Sequence, residues 1–197
     1  MSRLDEAIEA LRAGQFVVLL DHPDRENEAD VLLAAEHATG ERVNHLAICV
    51  RGLITVAAPE ALLTALDIPL LPMRYNVPHA PRFAEPIDAV AGTTTGASAF
   101  DRAVTLQRLA DPAARPEDFS RPGHIFPLAA APGGLAQRRG HTEGAVALAE
   151  LAGIRPVVAI CEMMAPDGHM AAGEQVEEFA DKHGVPMVSI QQIIDRL

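Results

Sequence analysis

The chain has 197 residues, 49% of them hydrophobic, which is enough for one compact domain around a single sizeable core. A formal charge of −11 with no Trp and one Tyr lacks the basic face and stacking aromatics of a nucleic-acid surface, and no apolar run approaches the roughly 18–20 residues of a membrane span. The N-terminus reads as an ordinary helix, so a cytoplasmic protein is expected, with Cys49 and Cys161, both inside apolar runs, as free buried thiols.

Ser2 precedes an apolar face of Leu4, Ile8 and Leu11, with Gly14 just beyond, which predicts a first helix. Residues 16–20 form a uniformly apolar run rich in β-formers, the pattern of a strand buried on both faces. After an acidic interruption an apolar strand resumes over 31–36, and a helix over 41–49, a strand over 53–57 and a brief helix over 59–66 follow. Pro69, Pro72, Pro78, Pro81 and Pro86 deny regular structure to residues 67–87, which are expected to form a long loop of the kind that can serve as a lid. Thr93, Thr94 and Thr95, between Gly92 and Gly96, lead into a helix over 99–110 with Ser98 and Asp101 spaced as a capping pair. A second loop is expected over 121–127. Gly140 and His141 open a helix that runs to Leu151 and ends at Gly153; residues 156–161 then form a buried strand with Glu162 at its end. A helix over 174–183, a strand over 187–190 and a terminal helix complete an α/β (α+β) pattern. The expected architecture is a single compact domain over residues 1–197, with a mixed sheet flanked by helices.

Several groups in this framework carry chemistry. Asp21, Asp24, Glu26, Glu28 and Asp30 crowd five carboxylates around one fixed positive charge, Arg25. Like charges this close raise one another's pKa values unless solvent or a hard cation relieves them, so a solvated acidic loop and a divalent-metal site both fit the composition. Its place after a buried strand is where α/β proteins gather ligands. Arg138, the Gly140 backbone and the Thr142 hydroxyl, at a helix start, could clamp a phosphate, with His141 as ligand or acid/base group; equally, Thr142 and Glu143 could only cap the helix. Glu162 at a strand end could be a general base if partly buried, or a surface carboxylate. His124 is ambiguous alone. A Walker loop, a Gly-x-Gly-x-x-Gly motif and a Cys-x-x-Cys pair are all missing, which removes the usual nucleotide and zinc readings.

Taken in order, Asp24-Arg25-Glu26-Asn27-Glu28-x-Asp30, Thr94-Thr95-Gly96-x-Ser98, Arg121-Pro122-Gly123-His124-x-Phe126-Pro127, Gly140-His141-Thr142-Glu143 and Cys161-Glu162 with Asp167-Gly168 resemble the motif series of the 3,4-dihydroxy-2-butanone 4-phosphate synthases, over nearly the whole chain. The resemblance implies cleavage of ribulose 5-phosphate to formate and a four-carbon dihydroxybutanone phosphate. It also implies Mg²⁺ or Mn²⁺, and a homodimer whose active sites lie between subunits. Glu26 and His141 would hold the metal, and His124 and Glu162 would be needed for catalysis. Arg25, Glu26, Asp30, Thr95, Arg138, Arg139, Gly140, His141 and Thr142 are the implied substrate contacts. Removing a proton beside a carbonyl needs a poised base and a cation for the enediolate oxygens, which these residue types supply.

The chain departs from the family pattern at Thr55, where a cysteine is usual, over 81–86, where a hydroxyl-rich segment is usual, and at Ala129 and Ala172, where arginines are usual. If those positions touch substrate, phosphate or sugar recognition is weakened, with Arg74, Arg82 and Arg139 as candidate replacements. The alternative reading is a divergent lyase or isomerase acting on another hydroxylated small molecule. A non-catalytic binder is disfavoured because it needs no paired acid/base groups. The fused GTP cyclohydrolase domain often found in this family is not expected from these 197 residues.

Overall fold

A computed structural model describes residues 2–22, 25–73 and 80–197. Asp24, Arg74 and Pro78, all singled out in the sequence, lie outside the described residues. Helix α1 (Arg3–Arg12) starts where Ser2 and Asp5 form a reciprocal capping box, and Leu4, Ile8 and Leu11 face inward as their spacing requires. Strands β1 (Val17–Leu20) and β2 (Ala29–Ala34) pair antiparallel across the acidic turn, with Leu19 opposite Asp30. The helix expected over 41–49 is α2 (Gly40–His45), which widens into a π-turn over Leu46–Val50. Strand β3 (Arg51–Pro59) and helix α3 (Glu60–Ala65) follow. Helix α4 (Ala99–Ala110) is capped by the Ser98 hydroxyl, which accepts from the Asp101 N–H.

Two expectations about loops are corrected. The described part of 67–87 is mostly irregular, as expected, but strand β4 (Ile87–Ala89) begins at its last residue and a strip at 82–84 lies along a neighbouring strand: the Ala84 N–H donates to the Pro127 carbonyl at 2.8 Å and the Ala129 N–H to that of Arg82 at 2.9 Å. The loop expected over 121–127 is the middle of a long strand, β5 (Phe119–Ala130). Proline and glycine read locally as breakers, but β5 is held from both sides: its first part pairs with β4, through a register shift between Ile87 and Asp88, and its second part runs parallel to β3.

Short helix α5 (Gly134–Gln137), helix α6 (His141–Ala152), strand β6 (Val158–Met163), helix α7 (Glu174–His183), strand β7 (Met187–Ser189) and helix α8 (Ile190–Ile194) complete the chain. The sheet order is β4-β5-β3-β6-β2-β1-β7, with β3 parallel to β5, β1 parallel to β7 and the other pairs antiparallel. Strand alternation divides the core in two. Val18, Val31, Leu33, Ile54, Val56 and Cys161 pack against α2, α4 and α7, while Val17, Leu19, Leu32, Ala57, Leu128 and Ile160 pack against α1, α6 and α8. Cys161 is buried and free, and burial pushes its thiol up to about 12, whereas Cys49, also free, is only half-buried, contrary to the expectation of two buried thiols. Among the described residues no helix is long and apolar enough to cross a membrane.

Candidate active site

Strand parity decides which side chains meet. Asp30, Thr55 and Glu162 share the face of Leu32, Ala57 and Ile160, which is the face covered by α6, and register sets Asp30 directly opposite Glu162. The start of α6 closes over them. Arg25, Glu26, Glu28, Asp30, Thr55, Arg138, His141, Thr142 and Glu162 therefore line one cavity of about 230 Å³, with Pro81, Phe83 and Leu128 as its apolar wall. The volume is below the roughly 300–1,000 Å³ of drug-sized sites, a size that suits a small molecule. Wider hollows exist, of about 880 Å³ beside α3 and α5 and about 520 Å³ beside α7, but neither gathers comparable mixed charge.

The acidic turn is organised by Asp21. One carboxylate oxygen accepts the His22 N–H at 2.7 Å, and the other accepts the Arg25 guanidinium at 2.7 Å and the Glu26 N–H at 3.1 Å. Arg25 also donates to Glu26 at 2.7 Å, so one guanidinium bridges two carboxylates and aims both. Ligand atoms of Asp21, Glu26 and His141 come within 4.8 Å of one another. Deeper in, His141 Nδ1 stands 3.7 Å from Asp30, while His141 Nε2 and Asp30 Oδ1, both buried, have no hydrogen-bond partner among the described residues. Buried polar atoms left this way cost free energy unless a ligand meets them. One imidazole nitrogen among carboxylate oxygens is a donor set that fits a hard divalent cation.

The anion side is equally ordered. Gly140 caps α6 without a side-chain bond, leaving the first-turn N–H groups facing the cavity end of the helix. Arg138 donates to Glu143 at 2.6 Å, and the other Glu143 oxygen accepts the Ala131 N–H at 3.0 Å. A Cβ on Gly140 would stand 2.0 Å from the Arg138 guanidinium, so glycine lets the arginine lie across the helix start. Burial, then the charges of neighbouring carboxylates, raise the acids of Glu28, Asp30 and Glu162 above their ordinary range. The Glu162 side chain is exposed at the cavity mouth, yet displaced water is still the first cause of its shift and the Asp30 charge the second.

Of the residues singled out in the sequence, Arg25, Glu26, Asp30, Arg138, His141, Thr142 and Glu162 meet in this cavity, with Gly140 behind Arg138. His124, Thr95 and Arg139 are exposed and do not line it. Asp21, in sequence one carboxylate of the acidic cluster, and Glu143, in sequence a candidate helix cap, owe their organising roles to contacts with Arg25, Glu26, Arg138 and Ala131 that composition does not specify. Among the departures, Thr55 does face the cavity, its hydroxyl donating to the Ile160 carbonyl at 3.2 Å. Ala129 does not: it is 1% exposed in the core on the opposite face of the sheet, so an arginine there would not reach this cavity from the same strand position. Ala172 lines a separate hollow behind the acidic turn. Arg82 is committed to Glu60 at 2.8 and 2.9 Å, and Arg139 lies outside the cavity, so neither replaces a missing arginine there.

Fold and cavity together define an α/β protein in which two arginines and a helix start share one small cavity with a donor set that fits a divalent cation. A family model for 3,4-dihydroxy-2-butanone 4-phosphate synthase matches residues 5–196. The synthase of Agrobacterium fabrum is 44% identical over 197 residues, covering 100% of this chain and 92% of that one. The riboflavin biosynthesis protein RibBA of Aquifex aeolicus is 46% identical over 194 residues, or 97% of this chain but only 48% of its own. A solved structure of 3,4-dihydroxy-2-butanone 4-phosphate synthase in complex with two magnesium ions superposes with a TM-score of 0.94 at 38% identity, covering 100% of this chain and 96% of that one. A cation-free form superposes at 0.91, also at 38% identity, covering 100% and 97%. The chain belongs to the 3,4-dihydroxy-2-butanone 4-phosphate synthase family.

Proposed function

We propose that the chain is the lyase that converts ribulose 5-phosphate to 3,4-dihydroxy-2-butanone 4-phosphate and formate for riboflavin synthesis. The observation that carries this reading is the convergence of Arg25, Asp30, Arg138, His141, Thr142 and Glu162 on one small cavity, with Asp30 Oδ1 and His141 Nε2 buried and without a hydrogen-bond partner among the described residues. The phosphate is held by Arg25, Arg138, the Thr142 hydroxyl and the N–H groups opening α6. Glu162 takes the proton from the carbon beside the carbonyl, a task for which a raised carboxyl is suited. Pro81, Phe83 and Leu128 keep bulk water off the sugar. Glu26 and His141 would hold Mg²⁺ or Mn²⁺, with Asp21 within reach, and the ion supplies a fixed positive charge beside the substrate's oxygens when bound. Formate release from ribulose 5-phosphate plus Mg²⁺ is the direct test. If the folded protein binds the sugar phosphate but makes no formate, the divergent-lyase reading takes its place.

The cation also couples to stability. Glu28, Asp30 and Glu162 have raised folded pKa values, so the stability they contribute is present at low pH and lost as pH rises through those values. Near neutral pH the metal-free fold carries the cost of these buried and mutually repelling charges, and Mg²⁺ is expected to raise the melting temperature there more than at pH 5. The shift should shrink in Glu26→Gln. Two side chains fill only part of a six-coordinate shell, so titration calorimetry should show weak binding that tightens with a sugar phosphate present. A tight, substrate-independent ion that survives Glu26→Gln would refute the ligand assignment.

A homodimer with sites shared between chains is part of the same proposal. It is supported by the position of His124 and Thr95, exposed and outside their own chain's cavity, and by exposed Leu53, Val90 and Phe100 at that end of the sheet. Sedimentation equilibrium at micromolar concentration should return about twice the 20.9 kDa of one chain. A strict monomer would leave His124 without a cavity to serve.

A further inference from the structure

His124 has one side-chain partner that the sequence did not advertise. Asp88, in β4, is 8% exposed, and both of its oxygens point at the same residue across the ladder with β5. Oδ1 accepts the His124 backbone N–H at 2.8 Å, and Oδ2 lies 2.7 Å from the imidazole Nδ1. The far side of the ring stays open, with the His124 side chain 48% exposed.

Two motif glycines make this pairing sterically feasible. A Cβ on Gly96 would fall 2.0 Å from Asp88 Oδ2, and one on Gly123 would fall 2.0 Å from the Ile87 carbonyl carbon, so any larger residue at either place pushes into the carboxylate or the strand that carries it. Gly96 is itself held in place: its N–H and the Thr94 hydroxyl both donate to Asp101 Oδ2, at 3.0 and 2.8 Å, at the first turn of α4. The middle of α4 in turn holds β4, since the Thr105 hydroxyl accepts the Ala89 N–H at 2.9 Å. The threonine–glycine turn and the proline–glycine–histidine strand, separate in sequence, thus close on one buried aspartate.

We propose that Asp88 is the positioning residue for His124: it fixes the neutral imidazole as the Nδ1–H tautomer, turns the ring, and leaves Nε2 as the proton acceptor presented to substrate. A carboxylate 2.7 Å from a ring nitrogen is satisfied only by an N–H there, and a neutral imidazole with its proton on Nδ1 has its lone pair on Nε2. Asp88 touches no reacting atom; it acts through His124. The inference rests on the reading of His124 as an acid/base group.

Asp88→Asn separates positioning from simple support. The amide oxygen can keep the His124 N–H, but the NH₂ then faces Nδ1 and demands a lone pair there, which moves the ring proton to Nε2 and removes the acceptor. The full chain with Mg²⁺ and ribulose 5-phosphate should lose about 10²–10⁴-fold in kcat with KM little changed, the scale of a wrong-tautomer histidine. In ¹⁵N-histidine NMR of the unmodified protein, with His124→Ala identifying the signal, the neutral ring should be the Nδ1–H form, and in Asp88→Asn it should be the Nε2–H form. The unmodified protein needs no variant to fold, so an Nε2–H ring there overturns the proposal outright. Near-parental kcat in Asp88→Asn, while His124→Ala is inactive, overturns it too and spares the role of His124. Full activity in His124→Ala instead removes the acid/base reading and the proposal with it.

Discussion

Glu162→Gln is expected to cut formate release from ribulose 5-phosphate by about 10²–10⁴-fold while changing KM little, because the amide keeps the shape of the side chain but cannot take a proton. Its effect on pH dependence is the sharper mark. Displaced water first, and the Asp30 charge second, raise the Glu162 carboxyl above the ordinary glutamate value of 4.5. A base works only when deprotonated, so kcat should climb with pH on the acid side through a midpoint above that of a free glutamate. The variant should lose that limb along with the rate. A Glu162→Gln protein that turns over near the parental rate, or that keeps the same acid limb, would show that another group removes the proton.

Glu143→Ala should unfold earlier by far more than a surface change would. Glu143 is 1% exposed and serves two masters, the Arg138 guanidinium at 2.6 Å and the Ala131 N–H at 3.0 Å. Truncation strips the part-buried Arg138 charge of a partner and orphans a buried backbone donor, changes that cost about 3–5 kcal/mol where the pair is fully buried. For a chain of this size each kcal/mol moves the melting temperature by about 2–4 °C, so a fall of roughly 6–20 °C is expected by circular dichroism. Glu143→Gln keeps an oxygen for Ala131 and should fall less. Because Arg138 lies across the start of α6, KM for the sugar phosphate should rise in both variants. A melting temperature in Glu143→Ala equal to that of the parent would mean that Glu143 is a cap and nothing more.

Local chemistry wrote much of this protein plainly. Ser2 and Ser98 mark the helix starts they cap, Gly153 ends α6 in the left-handed conformation its predicted C-terminus calls for, and α4 and α7 fall where periodicity put them. The carboxylate turn, the His141 helix start and Glu162 were legible as chemistry because charges in apolar surroundings are costly unless something uses them. Which of them meet was a matter of tertiary structure. A strand's parity is invisible until its partners are known, so Ala129 looked like a lost contact and is a core residue on the opposite face of the sheet. Strand β5 was hidden because Pro122, Gly123 and Pro127 each argue for a loop, and only ladders to β3, to β4 and to the strip at 82–84 outweigh them. Asp88, in a three-residue strand, gave no signal at all, since its value lies in a pairing with His124, which stands 36 residues away. Propensity and capping act within a turn or two of the chain. The pairing of buried charges is decided by register and burial, which exist only once the sheet has formed.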